Sequence, residues 1–257
     1  MKLAVSTNKG GVLKTSITTN LAGVLSQNKK VLIVDTDNQG NVLLSFGKNP
    51  DQMETTLYDV LVDGVDPREA IINVHENINV LPSNDEMSFL EFDVLTNKKN
   101  YPNPFGLLNN ALKSIEKDYD YILIDSPPTL GLIQGNVLAF ADKVLIPFQP
   151  ESYSMRSLTK ILKAINDFKV KLNPDLEVAG VVATLVDQRT TLHNQVLQEC
   201  RRYCLENDIK MLDTIIPKSV RFAASVAYDR KPATLTEKNN PIVANYFELL
   251  REVENNG

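Results

Sequence analysis

Residues 8–16 (Asn-Lys-Gly-Gly-Val-Leu-Lys-Thr-Ser) have the composition of a phosphate-binding loop. Gly10 and Gly11 let backbone N–H groups close around a polyphosphate, Lys14 adds a positive charge, and the Thr15 hydroxyl is suited to bind Mg²⁺ directly. The loop follows a short apolar run and precedes a helical apolar pattern, so a helix N-terminus also favours an anion here. A plain glycine turn is the alternative, and the two lysines and the strand–loop–helix context argue against it.

Carboxylates stand directly after two other apolar runs. Asp35 and Asp37 follow Val31–Val34, and Asp125 follows Tyr121–Ile124. Phosphoryl transfer needs a phosphate cradle, a metal ion and a group that orients the attacking water. Asp125, at the end of a predicted strand, fits a carboxylate that holds the metal through water. The alternative is that these acids only end a strand in a turn.

Strand and helix signals alternate along the whole chain. Short runs rich in β-branched residues predict further strands at Ile78–Leu81, Val144–Ile146, Val178–Leu185 and Thr214–Ile216. Helices are predicted near 14–27, 85–97, 104–117, 131–141, 153–172, 191–206 and 241–254. The pattern predicts a single α/β domain over residues 1–257, with a doubly wound, mostly parallel sheet and helices on both faces. Ligands bind such sheets at the carboxyl ends of the strands, where the loop and the carboxylates fall.

Composition limits the classes of function. Apolar residues make up 43% of the chain and charged residues 23%, which is typical of a globular protein. No apolar run approaches the length of a membrane span and no secretory segment is present, so we expect a cytoplasmic protein. The net charge of −5 argues against a generally basic nucleic-acid binder but allows a local basic patch. Cys200 and Cys204 share a predicted helical stripe with Leu192 and Val196, which indicates core residues and not a metal site.

The phosphate loop has an unusual form. Asn8 and Leu13 stand where the common pattern G-x-x-x-x-G-K-[ST] has its first and last glycines, and Lys9 follows directly. The segment fits K-G-G-x-x-K-[ST] instead, and so resembles the ParA and MinD class of ATPases. In that class the first lysine reaches across a dimer interface to the nucleotide of the partner. The resemblance therefore implies catalytic roles for Lys9 and Lys14 and a homodimer in the ATP-bound state.

Residues 35–41 (Asp-Thr-Asp-Asn-Gln-Gly-Asn) resemble the second ATPase motif of ParA proteins, D-x-D-P-Q-G-N. Only Asn38, in place of proline, departs from it. By this resemblance Asp37 positions the hydrolytic water. Asp35 supports the metal site, which is then formed with Thr15 and Asp125.

The resemblance extends over nearly the whole chain. It continues in four segments, similar to D-x-P-P, P-x-Q-P-E, D-x-R-T and I-P-R-[NS]-V-R: Asp125–Pro128, Pro147–Glu151, Asp187–Thr190 and Ile216–Arg221. Together they match ParA/Soj partition ATPases better than the sister families, which implies ATP and magnesium as cofactors, slow ATP hydrolysis and a ParB-like adaptor. The implied nucleotide-binding residues are Gly10, Gly11, Val12, Leu13, Lys14, Thr15 and Ser16, with Thr184, Pro217 and Ser219 around the adenine.

Leu13 is the chief departure from the family, which usually has Gly or Ala before the loop lysine. If the backbone there takes a positive φ, a leucine costs about 1–2 kcal/mol. We expect nucleotide binding to persist and the turnover rate to be the property most affected.

Basic residues of the C-terminal third suggest a DNA surface. In ParA proteins such residues form a sequence-independent DNA surface across the ATP-bound dimer, and Lys218 and Arg221 are three apart, a spacing that suits one helix face. A solvated charged helix face is the alternative. The expected DNA-binding residues are Lys218, Arg221, Arg201, Arg202, Arg230 and Lys231.

Two other functions stay open. A MinD-like membrane-associated positioning ATPase would carry a basic amphipathic C-terminal helix, whereas the polar positions of residues 244–257 are mainly acidic. A nucleotide-dependent metabolic enzyme on the same fold would need a dedicated substrate pocket. The chain begins with the first predicted strand, so we expect no N-terminal helix-turn-helix domain. The sequence does not identify the cargo, whether plasmid, chromosome, mobile element or protein assembly.

Overall fold

A computed structural model describes residues 1–187, 189–219, 225–237 and 240–255. Its strands are β1 (Lys2–Val5), β2 (Val31–Asp35), β3 (Ile72–His75), β4 (Ile78–Leu81), β5 (Tyr121–Asp125), β6 (Lys143–Phe148), β7 (Glu177–Val186) and β8 (Met211–Pro217). They form one sheet in the order β3-β4-β2-β5-β1-β6-β7-β8. Neighbouring strands are parallel except β3, which pairs antiparallel with β4 at one edge. The predicted fold class is confirmed.

Helices cover both faces of this sheet. They are α1 (Lys14–Leu25), α2 (Asn41–Ser45), α3 (Leu57–Val62), α4 (Pro67–Ala70), α5 (Leu90–Thr96), α6 (Leu107–Leu112), α7 (Leu132–Phe140), α8 (Ser154–Lys171), α9 (Thr191–Glu206), α10 (Ala233–Thr236) and α11 (Pro241–Glu254). Helices α1, α2, α10 and α11 enclose one apolar core, and α3 to α9 enclose the other. The central strands are buried on both sides, because both faces of a parallel sheet are covered by its crossover helices.

Local sequence explains where several elements begin and end. The Thr56 side chain caps α3 in a reciprocal capping box with Asp59. The predicted helix 85–97 is a 3₁₀ turn at 85–88 followed by α5, because the Asn84 side chain accepts the N–H of Glu86 and closes a tight first turn. The predicted helix 104–117 is likewise divided into 3₁₀ turns at 104–106 and 116–118 around α6.

The two cysteines are buried on α9, as predicted. Leu192, placed on the same buried stripe, is 46% exposed, so that part of the prediction is wrong. Leu192 lies in the first turn of α9, shortly after the end of β7. This turn precedes the part of the helix that packs on the core through Val196.

The C-terminal helix α11 packs on the core and also covers an edge of the sheet. Tyr246, Leu250 and Val253 are buried, and Glu252 accepts the backbone N–H groups of Asp213 and Thr214 in β8 at 2.8 and 2.9 Å. Glu252, one of the acidic residues of the C-terminal segment, therefore has a structural role. Within the described ranges, no helix combines the length and apolar character needed to cross a membrane.

Candidate functional site

The phosphate loop joins the end of β1 to the first turn of α1. Gly11 has φ of 73° and Leu13 has φ of 70°, so both residues take the left-handed conformation. Only glycine takes it without strain, and Leu13 therefore carries the cost considered from the sequence. A Cβ atom built on Gly10 or Gly11 would meet no atom within 4 Å, so open space lies beside this part of the loop.

A cavity of about 570 Å³ opens over the loop. Its floor is formed by residues 10–16, and Asp37 and Pro128 reach it from the carboxyl ends of β2 and β5. Leu185 and Ser219 line the other end, while Thr184 lies fully buried one residue earlier in β7. This size and shape, next to a helix N-terminus, suit a nucleotide with its phosphates on the loop.

Lys14 is held inside this loop. Its side chain is largely buried, and Nζ donates a hydrogen bond to the backbone oxygen of Lys9 at 3.1 Å. Burial lowers the pKa of Lys14, and the charges of Asp125 and Asp37 oppose that shift. The ammonium group is thus fixed at the loop, in position to meet a phosphate.

Asp125 and Thr15 form the best-defined polar contact of the site. The Thr15 hydroxyl donates to Oδ2 of Asp125 at 2.5 Å, and the Thr18 hydroxyl donates to Oδ1 at 3.4 Å. Burial raises the pKa of Asp125 to about 7, because a carboxylate loses hydration inside the protein. A buried carboxylate beside a threonine hydroxyl at a phosphate loop is the donor set that a nucleotide-bound Mg²⁺ uses.

Asp35 lies deep in the fold. Its side chain is fully buried and accepts the backbone N–H groups of Asp37 and Val42, each at 3.1 Å. Burial, then the neighbouring Asp125, raises its pKa well above the usual range. Asp35 thereby holds the turn that carries Asp37, which is half-buried and lines the cavity.

No cluster of three or more His, Cys, Asp or Glu side chains able to hold a metal ion occurs in the parts of the chain that the structure describes. The residues present fit a Mg²⁺ ion that arrives with a nucleotide. Such an ion takes few protein ligands, and phosphate and water oxygens supply the rest. Thr15 and Asp125 would hold it, and Asp35 stands behind them.

Lys9 does not line its own nucleotide cavity. Its Nζ forms an ion pair with Oε2 of Glu151 at 2.6 Å and a hydrogen bond with the Ser154 hydroxyl at 3.2 Å. Both partners follow β6 and were not expected from the sequence, although Glu151 belongs to the P-x-Q-P-E segment. The lysine therefore lies away from the cavity that Lys14 serves.

The described basic residues expected to bind DNA lie on several parts of the fold. Arg201 and Arg202 are exposed on α9, which packs on one face of the sheet. Arg230 and Lys231 are exposed just before α10, which packs on the other face. Lys218 is exposed after β8, at the carboxyl edge between the two faces, and Arg221 lies outside the described residues. The helix face proposed for Lys218 and Arg221 extends beyond the described residues and stays a prediction.

Comparison with known proteins agrees with these features. A family model described as "AAA domain" matches residues 1–178. The chain is 34% identical to the sporulation initiation inhibitor protein Soj of Bacillus subtilis, with 99% of this chain and 98% of that protein covered. It is also 34% identical to the chromosome partitioning protein ParA of Myxococcus xanthus, with 98% and 87% covered. A ParA family protein of Mycoplasma pneumoniae is 31% identical, with 99% and 97% covered.

Solved structures share the fold over the same length. Cobyrinic acid a,c-diamide synthase from Mycobacterium smegmatis, with a bound ATP analogue and magnesium, has a TM-score of 0.83 and 31% identity, with 97% of this chain and 94% of that chain covered. A McdA variant of Cyanothece in complex with ATP has a TM-score of 0.86 at 22% identity, with 99% and 96% covered. Nucleotide and magnesium thus occur in structures with this fold.

Proposed function

This chain belongs to the ParA/Soj family of P-loop ATPases, and on that premise we propose that it is a partition ATPase that dimerises on ATP, binds DNA without sequence preference and hydrolyses ATP under stimulation by a ParB-like adaptor. One observation carries the proposal. The loop with Lys14 and Thr15 lines one nucleotide cavity, and Asp125 contacts Thr15 from the protein interior. The Lys9 side chain does not line that cavity and pairs with Glu151. A lysine in this position is better placed to contact the nucleotide of a second subunit than the nucleotide of its own subunit.

The residues of the site have separate roles in ATP binding and hydrolysis. Backbone N–H groups of residues 10–16 and Lys14 hold the phosphates, while Thr15 and Asp125 hold the magnesium ion, which neutralises phosphate charge when bound. Asp35 fixes the turn and Asp37 orients the attacking water. Lys9 of each subunit, once released from Glu151, stabilises the developing charge on the nucleotide of the other subunit. Leu185 and Ser219, with neighbouring Thr184 and Pro217, frame the adenine.

DNA contact depends on the assembled dimer. The protein is acidic overall and its basic residues are divided between faces, so one subunit offers few phosphate contacts. Two subunits joined by ATP double the contacts on one duplex and raise the avidity. The expected set stays Lys218, Arg221, Arg201, Arg202, Arg230 and Lys231, in a protein associated with the nucleoid.

Sizing and gel shifts test this proposal. Light scattering should show a dimer with ATP and magnesium for the wild type, and a monomer that still binds nucleotide for Lys9→Ala. Shifts of two unrelated duplexes should require ATP and weaken steeply with salt. Lys218→Ala with Arg221→Ala should reduce the shift and keep ATP binding. A wild type that stays monomeric with every nucleotide, or shifts DNA equally without one, would contradict the proposal.

A second candidate is a nucleotide-dependent metabolic enzyme, because one similar solved chain is described as a cobyrinic acid a,c-diamide synthase. The two functions separate in the same experiments. A metabolic enzyme consumes ATP only with its small substrate and gives no ATP-dependent shift of DNA.

A further inference from the structure

Strand β7 carries one extra residue, Leu185, near its end. Thr184 of β7 pairs with Ile216 of β8. The next pair joins Val186 to Pro217, so β7 advances two residues where β8 advances one. Leu185 is therefore a β-bulge, and its φ of 53° lies in the left-handed region. A bulge changes the direction of a side chain, and Leu185 lines the nucleotide cavity.

The left-handed conformation of Leu185 needs support from neighbouring contacts, because a leucine takes it only at a cost in free energy. The pairs with β8 hold the residues on either side of the bulge. Strand β7 ends at Val186, and β8 ends at Pro217, which is the partner of Val186. The sheet therefore does not fix the chain beyond Val186, and a contact from another element has to hold it.

His193, in the first turn of α9, provides this contact. The backbone N–H of Asp187 donates a hydrogen bond to Nδ1 of His193 at 2.9 Å. Because a backbone N–H can only donate, Nδ1 is the acceptor and the imidazole carries its proton on Nε2. The His193 side chain is half-buried, so water competes less for this acceptor than at a fully exposed position.

Thr190 completes a closed ring of three hydrogen bonds. Its hydroxyl donates to the backbone oxygen of Asp187 at 3.0 Å and accepts the backbone N–H of His193 at 3.4 Å. Helix α9 is itself held on the core by buried side chains that include Val196 and Cys200. The end of β7 is thus fixed to the start of a helix that is packed on the sheet.

This segment lies at the end of the cavity that a nucleoside would occupy. Residues 10–16 line the cavity at one end, and Leu185 and Ser219 line it at the other. A nucleotide with its phosphates on the loop therefore extends its ribose and base toward Leu185. An apolar side chain packs on a base through many weak contacts, and a gap of about 1 Å already removes a large part of them. The position of Leu185 therefore affects how tightly the nucleoside is held.

We propose that His193 is a positioning residue for the bound nucleotide: its Nδ1 fixes Asp187 and thereby holds the Leu185 bulge against the nucleoside. His193 itself does not line the cavity, so it acts through the backbone of residues 185–187. The inference rests on the nucleotide binding of the proposed function. It does not require dimer formation or contact with DNA.

Calorimetric titration of the full chain with ADP and with pyrophosphate, each with magnesium, tests this role. Pyrophosphate occupies the phosphate loop alone, whereas ADP also reaches Leu185. His193→Leu removes the acceptor and should weaken ADP binding about threefold to tenfold, with pyrophosphate binding unchanged. Asparagine has the branched shape of leucine and places Oδ1 where Nδ1 lies. His193→Asn should therefore bind ADP within about twofold of the wild type.

Two further variants complete the experiment. Gln195→Ala changes an exposed residue in the same part of α9 and should alter neither affinity. Leu185→Ala removes the apolar contact and should weaken ADP binding in the wild type. Combined with His193→Leu it should weaken ADP binding much less, because both changes act on the same contact. Pyrophosphate binding reports in every variant that the loop and the fold are intact.

Several results would overturn the inference. Equal ADP affinity in the wild type and His193→Leu is one, and an equal loss of ADP and pyrophosphate binding is another, since His193 would then support the whole fold. A His193→Asn variant as weak as His193→Leu would remove the hydrogen bond from the argument, and additive losses with Leu185→Ala would remove the bulge. A wild type that binds ADP but stays monomeric with ATP contradicts the proposed function and leaves the role of His193 standing.

Discussion

Asp35 and Asp125 occupy paired positions on the neighbouring parallel strands β2 and β5, and both side chains are buried. Each carboxyl group raises the free energy of ionising the other, in addition to the cost of its own burial. Lys14 offsets part of this cost at Asp125. The two carboxyl groups therefore favour the binding of a cation at the site, in addition to the ammonium group of Lys14.

Without nucleotide and magnesium, stability should fall as the pH rises. The pKa of Asp125 is raised from 3.8 to about 7, so between these values the folded state binds more protons than the unfolded state. The free energy of unfolding therefore decreases through this window and levels off above it. Thermal unfolding in a chelator from about pH 5 to about pH 8 measures the slope.

Asp125→Asn is the control for this pH dependence. It removes one titrating group and its repulsion of Asp35, so the melting temperature should change less with pH than in the wild type. Equal slopes in the two proteins would show that this pair does not govern the response.

Glu151→Gln should favour assembly. The substitution removes the negative partner of Lys9 and keeps a side chain of nearly the same size. The pair is partly exposed, so each pair contributes at most about 1 kcal/mol. Because both subunits release one pair, the dimer dissociation constant with ATP should fall at most about thirtyfold. Sedimentation over a range of protein concentrations measures it, with Glu177→Gln at the Lys143 pair as the matched control. A weaker dimer in Glu151→Gln would mean that Glu151 contributes to the interface itself.

Asp37→Ala should separate binding from hydrolysis. The carboxylate lines the cavity but lies outside the Thr15–Asp125 pair, so ATP and magnesium should still bind while water is no longer oriented. Turnover should fall at least about a hundredfold, and the ATP-bound dimer should persist. Phosphate release and light scattering on one sample follow both effects, with exposed Glu54→Ala as the control. Undiminished turnover would remove Asp37 from the mechanism.

Leu13→Gly should be more stable than Leu13→Ala by about 1 kcal/mol. Both variants lose the leucine side chain, but only glycine takes φ of 70° without strain, and its entropy in the unfolded chain cancels part of that gain. Urea unfolding midpoints give the difference. Gly11→Ala is the reverse case: its Cβ would meet no neighbour within 4 Å, so any destabilisation reports the backbone alone. Equal midpoints for the two Leu13 variants would show that the loop relaxes its strain.

Features set by local sequence were predictable. The loop, Asp35, Asp37 and Asp125 each follow a buried strand, and a parallel sheet brings the ends of its strands together. The edge strand β3 and the short helices α2 to α4 were missed, since each is too short to establish a periodic pattern.

Pairings between distant residues were not predictable. Lys9 and Glu151 are 142 positions apart, and no local pattern records their contact. The basic residues of α9 and those before α10 are close in sequence but lie on opposite faces, because β8 passes between them. Their spacing along the chain therefore does not predict where they lie on the fold.

The carboxylate of Glu252 has a consequence for how copies of the chain meet. Strand β8 ends the sheet, and an uncovered final strand offers its N–H groups to any strand that approaches, so sheets can add to one another in solution. Glu252 occupies two of those donors within the chain, and the Thr214 hydroxyl strengthens the contact. The last turns of α11 thus cover the outer edge of β8 at these two residues. A strand of another molecule cannot pair with β8 there unless this helix first moves away from the sheet.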